Sequence, residues 1–188
     1  MSDRKYEVVV LGSTGFTGRL VAEYLLKQYG VGGDLKWAMG GRNEGKLKSI
    51  RTLLGNEDIP LVVCDSGKPE DVANLAKSTK VVCTTVGPYA LYGSDLVAAC
   101  VEHGTHYCDL AGEPQWMRRM IDQHHETAKA NGAKIVHTCG FDSIPSDMGT
   151  YFLQKTLKEQ KGTYAPEIKM RVKAMKGKFS GGTIASLN

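Results

Sequence analysis

The chain has 188 residues, of which 41% are hydrophobic and 23% are charged, and its formal net charge is +4. This composition excludes a disordered or fibrous chain, and the length suits one full domain with the start of another. Because the N-terminus is polar and no apolar stretch approaches about 18 residues, we expect a protein that is neither secreted nor transmembrane. A cytoplasmic location follows, while membrane contact through parts outside this chain stays open.

Short β-branched runs alternate with helical patterns along most of the chain. The predicted strands cover residues 6–11, 35–39, 60–64, 81–86, 105–110 and 134–138. Apolar residues recur at helical spacing between these runs, and Gly104 and Gly132 follow two of the helices, where a left-handed residue is favoured. The alternation predicts an α/β fold with a Rossmann-type, doubly wound parallel sheet of about six strands.

The pattern changes after Pro166. Ile168, Met170, Val172 and Ala174 alternate with polar residues, which is typical of a half-exposed strand. The predicted organisation is therefore an NAD(P)-binding Rossmann domain over residues 1–150, then a connecting helix and the truncated start of a second α/β domain over 151–188. Too little chain remains there to bury a second core, so we expect a fragment of a larger protein.

Charged residues and metal-ligand types give no specific signal. Lysines accumulate after residue 154, which indicates a solvated face and predicts no nucleic-acid partner. The adjacent His124 and His125 lack the i, i+4 spacing of metal ligands on a helix, and we predict no metal site. Five irregularly spaced cysteines are predicted to be reduced thiols, with Cys64, Cys83 and Cys139 in apolar, strand-like runs.

Three glycines at G-x-x-G-x-x-G spacing follow the first predicted strand and precede a helix. Glycine there permits a tight turn and lets the backbone approach a pyrophosphate at the positive end of the helix. Ser13 and Thr14 are expected to add hydroxyl contacts to phosphate. The predicted dinucleotide-binding loop comprises Gly12, Ser13, Thr14, Gly15, Phe16, Thr17 and Gly18.

The end of the second predicted strand indicates which dinucleotide is bound. An NAD-specific site carries an acidic residue there, but this chain has Gly41 and Arg42. The guanidinium of Arg42 can pair with a 2′-phosphate, and Gly41 leaves room for it, so we predict a preference for NADP(H) over NAD(H). Asp65 follows the third strand. Its carboxylate could accept a hydrogen bond from the adenine amino group, and a role in a turn or a helix cap fits its position equally well.

Residues after the later strands are candidates for the wall of a substrate site, because the carboxyl ends of parallel strands face the ligand crevice. Gly87 and Pro88 are predicted to form a flat rim beside the cofactor. The candidate proton donors, each of which also suits a cap or a turn, are Tyr89, Asp109, Glu113 and Asp142.

A separate pattern, Tyr151-x-x-x-Lys155, is similar to the catalytic pair of short-chain dehydrogenases. In that family the pair lies on the helix after the fifth strand, whereas here Tyr151 follows the sixth. The spacing is also expected about once by chance in this composition, so the pair ranks below the other interpretations.

Several motifs together resemble the saccharopine dehydrogenase-like oxidoreductase family, and closest to its trans-acting enoyl reductase branch. They are Gly12-Ser-Thr-Gly-Phe-Thr-Gly18, Trp37-Ala-Met-Gly-Gly-Arg42-Asn43, Val86-Gly-Pro-Tyr89, Gly104-Thr-His-Tyr107-Cys-Asp109, Gly112-Glu113 and Cys139-Gly-Phe-Asp-Ser-Ile-Pro-Ser-Asp147. The resemblance implies a protein about twice as long, with a second domain that forms the substrate cleft and the contacts of a homodimer.

The resemblance implies hydride transfer between NADP(H) and a small-molecule substrate, either an imine of amino-acid metabolism or an enoyl compound. This chain would then be mainly the cofactor-binding part and inactive alone. Two alternatives stay open. One is an NADP(H)-binding, redox-sensing module without turnover, and the other is a short-chain dehydrogenase that uses Tyr151 and Lys155.

Overall fold

The computed structural model describes residues 4–174, together with 176 and 181. Its strands are β1 (Tyr6–Leu11), β2 (Trp37–Gly41), β3 (Leu61–Val63), β4 (Thr79–Thr84), β5 (His106–Cys108) and β6 (Ile135–Val136). Its helices are α1 (Phe16–Tyr29), α2 (Glu44–Leu53), α3 (Pro69–Ser78), α4 (Tyr89–Tyr92), α5 (Ser94–Glu102), α6 (Pro114–Asn131) and α7 (Ile144–Lys161).

The strands form one parallel sheet in the order β3-β2-β1-β4-β5-β6. Strand β1 lies at the centre, with Val9 opposite Ala38 of β2 on one side and opposite Val82 of β4 on the other. The chain leaves β1 toward β2 but returns to its other side as β4, so the strand order reverses there. A crevice opens at the carboxyl ends of the strands at such a point, and the predicted α/β, Rossmann-type sheet is confirmed.

Apolar side chains on both faces of the sheet form the two core layers. Val9 and Val82 belong to the larger layer, which packs under α3, α5 and α6 and includes the fully buried Trp116. The smaller layer lies under α1 and α2 and is built on Trp37, Met39, Leu47, Ile59 and Ala22. Because both faces are covered at its centre, the sheet holds the residues after β1 and β4 firmly in place.

The six predicted strands are present, but several of their ends differ. Strand β2 begins at Trp37 and not at residue 35, and β4 begins at Thr79, two residues earlier than predicted. Strand ends depend on which backbone groups find a partner on the neighbouring strand, and a hydrophobic pattern does not contain this information. Gly104 and Gly132 have φ angles of +62° and +78°, so their predicted left-handed conformation is confirmed.

The region after β6 differs more from expectation. Helix α7 runs without a break across the predicted boundary at residue 150, and none of its residues is buried. Described residues 167–174 form no strand, contrary to the prediction, because no neighbouring strand pairs with their backbone groups. Residues 180–186 of the predicted second domain lie outside the described residues apart from residue 181, and the division at residue 150 remains a prediction.

The cysteines and the lengths of the helices bear on two further predictions. The five cysteines are free thiols, and Cys83 lies in β4 as predicted. Cys64 is buried but comes directly after β3, and Cys139 is exposed and outside any strand, so the predicted place of Cys139 in an apolar strand is wrong. Cys139 follows β6, which ends at Val136, two residues earlier than the predicted end at residue 138. Among the described residues, no helix has both the length and the apolar character needed to cross a bilayer.

Candidate functional site

The loop after β1 turns sharply and packs against both α1 and the end of β4. Gly12 has a φ angle of +94°, a conformation that side chains disfavour, and a Cβ there would lie 2.6 Å from Oγ1 of Thr85. A Cβ on Gly18 would lie 2.1 Å from the carbonyl oxygen of Gly12. These two glycines therefore allow α1 to begin directly against the strand.

The loop leaves several backbone donors available for an anion. In the described part of the chain, the N–H groups of Thr14, Phe16 and Thr17 donate to no protein acceptor, as is usual at the start of a helix. Ser13 differs from expectation, because its buried hydroxyl donates to the carbonyl of Val10 at 2.6 Å. That contact uses the only hydroxyl proton and removes the predicted contact of Ser13 with phosphate.

A cavity of about 250 Å³ opens at the carboxyl ends of β1, β2 and β4. It is lined by Leu11, Gly12, Thr14, Gly15, Gly41, Arg42, Cys64, Asp65, Ser66, Thr85, Val86, Gly87 and Tyr92. The structure thus brings together six predicted cofactor residues: Gly12, Thr14, Gly15, Arg42, Asp65 and Gly87. The other predicted cofactor residues do not line this cavity in the described chain; they are Ser13, Phe16, Thr17, Gly18 and Pro88.

Arg42 stands at the end of β2 and faces this crevice across from the phosphate loop. Its side chain is exposed, and within the described residues it makes no ion pair or hydrogen bond to protein. The next residue, Asn43, caps α2 by accepting a hydrogen bond from the Lys46 N–H at 2.8 Å. The cap holds the chain at Arg42 in place and leaves the guanidinium available for an anionic group.

Asp65 has the turn function that was one of its two predicted roles. Its Oδ1 accepts a hydrogen bond from the Gly67 N–H at 3.1 Å, and its own N–H donates to the Asp71 carboxylate at 2.9 Å. It also lines the crevice next to Cys64. Burial, followed by the nearby Asp71 and Asp65 charges, raises the pKa of the Cys64 thiol to about 12.

The predicted proton donors of the rim are engaged elsewhere. Glu113 accepts hydrogen bonds from the N–H groups of Tyr89 and Ala90, both at 2.8 Å, and so caps the first turn of α4. Tyr89 is 3% exposed, and its hydroxyl lies 3.4 Å from both the Thr84 carbonyl and the Leu110 N–H. Burial raises the pKa of its phenol well above the usual range. These contacts favour a structural role for both residues.

Asp109 is also held inside the protein. Its carboxylate is fully buried and accepts hydrogen bonds from the Tyr107 hydroxyl, the His137 ring, and the N–H groups of Ala111 and Thr138. Asp142, in contrast, is exposed in the loop before α7. The structure therefore does not bring the four predicted donors together, and the prediction of a proton-donating rim does not agree with these contacts.

Sequence reasoning missed three residues near the carboxyl ends of the strands. Thr85 and Tyr92 line the crevice, and His137 directly follows β6 and contacts Asp109. Thr85 and His137 directly follow the observed β4 and β6, but both lie inside the predicted strands 81–86 and 134–138, so the sequence pattern did not mark them as residues of the crevice edge. Tyr92 lies one helical turn after Tyr89 and carries no separate sequence signal.

The structure gives no support to the short-chain dehydrogenase hypothesis. Tyr151 and Lys155 lie on α7, which follows β6, and the Tyr151 side chain is 60% exposed. The Lys155 ammonium lies 4.0 Å from Glu159 on the same helix. In the described chain, neither residue lines the crevice beside the phosphate loop.

The fold and the crevice define a Rossmann-type dinucleotide-binding domain. A family model described as the saccharopine dehydrogenase NADP binding domain matches residues 8–136, which is more than half of the chain. The chain therefore belongs to this family. The matched region begins within β1 and ends at β6, so it contains the whole sheet apart from the first two residues of β1.

Curated relatives agree with this assignment. A Mycobacterium tuberculosis protein provisionally named a trans-acting enoyl reductase is 44% identical over 186 residues, which cover 98% of this chain and 44% of that protein. A trans-acting enoyl reductase of Mycobacterium leprae is 39% identical over 186 residues, again 44% of its length. The chain thus spans less than half the length of these relatives.

Solved structures show the same fold at low sequence identity. Apo saccharopine dehydrogenase (L-Glu forming) from Saccharomyces cerevisiae matches with a TM-score of 0.62 at 16% identity, covering 82% of this chain and 31% of the yeast protein. Triphenylmethane reductase from Citrobacter sp., in complex with NADP(H), matches with a TM-score of 0.54 at 16% identity, covering 81% and 54% of the two chains. These likenesses describe the fold alone.

Proposed function

We propose that this chain is the NADP(H)-binding part of an oxidoreductase that transfers hydride to an enoyl-type substrate. The observation that carries the proposal is the position of Arg42, which lines the crevice together with the phosphate loop and whose guanidinium has no partner among the described residues. A 2′-phosphate there would gain a charge-assisted contact, and no carboxylate stands in its way at Gly41.

The enoyl substrate rests on the names of the relatives. Two of them, at 44% and 39% identity, carry the name trans-acting enoyl reductase, one of them provisionally. An imine of amino-acid metabolism is the other substrate class of the broader family. The matched relatives are more than twice as long as this chain, so we expect the 188-residue chain to bind NADP(H) and to turn over little substrate alone.

A second candidate function is an NADP(H)-binding module that senses redox state without catalysis. One observation favours it: Tyr89, Asp109 and Glu113 are all engaged in internal contacts, so none is free to protonate a substrate. The homodimer implied by the family resemblance, and a cytoplasmic location, remain proposals for the longer protein.

The test follows deuterium from 4-deuterated NADPH into product, with the chain studied both alone and within its longer polypeptide. An enoyl thioester is one substrate, and a 2-oxo acid with an amino acid is the other. Deuterium in a saturated thioester supports the enoyl substrate. Deuterium in a secondary amine would instead show that the substrate is an imine. Tight NADPH binding with no transfer to either substrate, in the longer polypeptide, would favour the redox-sensing module.

A further inference from the structure

A second cavity, also of about 250 Å³, lies between α6 and the edge strand β6. It shares no lining residue with the cofactor crevice in the described chain. Its apolar lining comprises Val97, Met120, Ile121, Ala128, Ala133 and Ile135. The polar lining is entirely basic and comprises His124, His125, Lys129 and His137, and no Asp or Glu of the described residues contributes.

His137 is held rigidly at one end of this cavity. Its Nδ1 lies 2.7 Å from Oδ2 of Asp109, and its side chain is only 10% exposed. The rings of Trp116 and Tyr107 pack edge-on against the imidazole, with centroids 5.1 Å and 5.8 Å away. Because the Asp109 carboxylate also accepts from the Tyr107 hydroxyl, the network assigns the Nδ1 proton to His137.

The other ring nitrogen, Nε2, has no protein partner within the described chain. No fully buried side-chain nitrogen or oxygen of the described residues lacks a partner, so Nε2 must be reached by solvent. His137 lines the cavity, and Nε2 is the one nitrogen of its ring without a protein partner in the described chain, so we take Nε2 as the atom that meets a ligand there. The rest of the lining is apolar or basic, and no described side chain in it carries a negative charge.

We propose that this cavity binds a small organic anion, a carboxylate with a short apolar chain, whose charged group sits on Nε2 of His137. When Nε2 carries a proton, the imidazolium donates to the carboxylate, while Asp109 balances its charge from behind. Lys129 and the histidines of α6 add positive potential at the rim. The apolar lining takes a chain of about six carbons, since the space equals that of about eight waters.

The charge of the lining has a definite sign. The ionisable groups around His137 are Tyr107 of β5, Asp109 directly after β5, and His124, His125 and Lys129 of α6. A protonated imidazole in this lining adds positive charge near Nε2 and strengthens the binding of an anion. A neutral ligand of the same length gains nothing from this charge.

The experiment is a titration with hexanoate, followed by the histidine ring signals in NMR spectra at about pH 6 and pH 8, on either side of the usual histidine pKa. The His137 signals should shift when hexanoate binds, and the affinity for hexanoate should be higher at the lower pH. Hexan-1-ol should bind much more weakly than hexanoate. His137→Gln should lower the hexanoate affinity about tenfold or more, which corresponds to loss of one charge-assisted hydrogen bond. His103→Gln, outside the cavity, serves as its control.

A second variant avoids the buried network and keeps the test valid if His137→Gln fails to fold. Lys129 is exposed on α6, so Lys129→Glu should fold normally and should weaken hexanoate binding. Lys46→Glu on α2 makes the same charge change away from the cavity and should leave hexanoate binding unchanged. The proposal is overturned if hexanoate does not bind, if hexan-1-ol binds equally well, or if Lys129→Glu and Lys46→Glu behave alike.

Discussion

The carbonyl oxygen of Gly12 lies so close to Gly18 that a Cβ on Gly18 would approach it to 2.1 Å. Both partners in this contact are backbone, so neither can move aside as a flexible side chain would. The first turn of α1 and the phosphate loop therefore form one rigid unit, and the cofactor crevice depends on their close packing.

Gly18→Ala should disrupt this unit. The added methyl group must push the loop away from α1, and we expect a loss of about 1–3 kcal/mol in the free energy of unfolding together with weaker NADPH binding. Urea denaturation and cofactor titration measure the two effects. Gly149→Ala is the control, because a Cβ there meets nothing within 4 Å and alanine favours a helix. Equal stability of the two variants would argue against the rigid unit.

Glu113→Ala should destabilise the rim by removing both hydrogen bonds to the start of α4. The expected cost is about 1–3 kcal/mol, since a carboxylate that accepts two backbone N–H groups is lost. Denaturant unfolding checks this value, with the exposed Glu126→Ala on α6 as the control. If Glu113→Ala retained full stability and abolished only catalysis in the longer protein, Glu113 would be a proton donor after all.

The five thiols should react with iodoacetamide at very different rates. Burial raises the pKa of the Cys100 thiol and that of the Cys64 thiol to about 12 each. Almost no thiolate of either residue therefore exists near pH 8. Partial burial, with the nearby Cys108 and Asp109, also raises the pKa of the Cys139 thiol, but this thiol is exposed and should be labelled before Cys64 and Cys100, as mass spectrometry of partly labelled protein can show. Unfolded protein is the control, with similar rates at all sites. Rapid labelling of Cys100 in folded protein would contradict the described core.

The sequence predicted the parts of the fold that depend on local patterns. Strand β1, the glycine loop and α1 follow one another with hydrophobic and glycine signals that act over a few residues, and Arg42 follows β2 in the same way. Those features were predicted correctly. The left-handed Gly132 after α6 belongs to the same group.

The roles of the rim residues could not be predicted, because they depend on contacts between distant parts of the chain. Glu113 caps a helix that begins 24 residues earlier, and Asp109 binds a histidine 28 residues later. A carboxylate that caps a helix and one that donates a proton look alike in sequence. The missing strand near residue 170 has a similar cause, since alternation of side chains does not show whether a neighbouring strand exists.

The most direct test of the account compares NADPH and NADH binding to the wild-type chain, Arg42→Ala and the control Lys46→Ala by fluorescence titration. We predict that the wild type prefers NADPH and that Arg42→Ala weakens NADPH binding by about 1–3 kcal/mol, with little change for NADH, because only NADPH carries the 2′-phosphate. Lys46→Ala should leave both affinities unchanged. Equal losses for the two cofactors in Arg42→Ala, or a wild type with no preference for NADPH, would contradict the proposed role of Arg42.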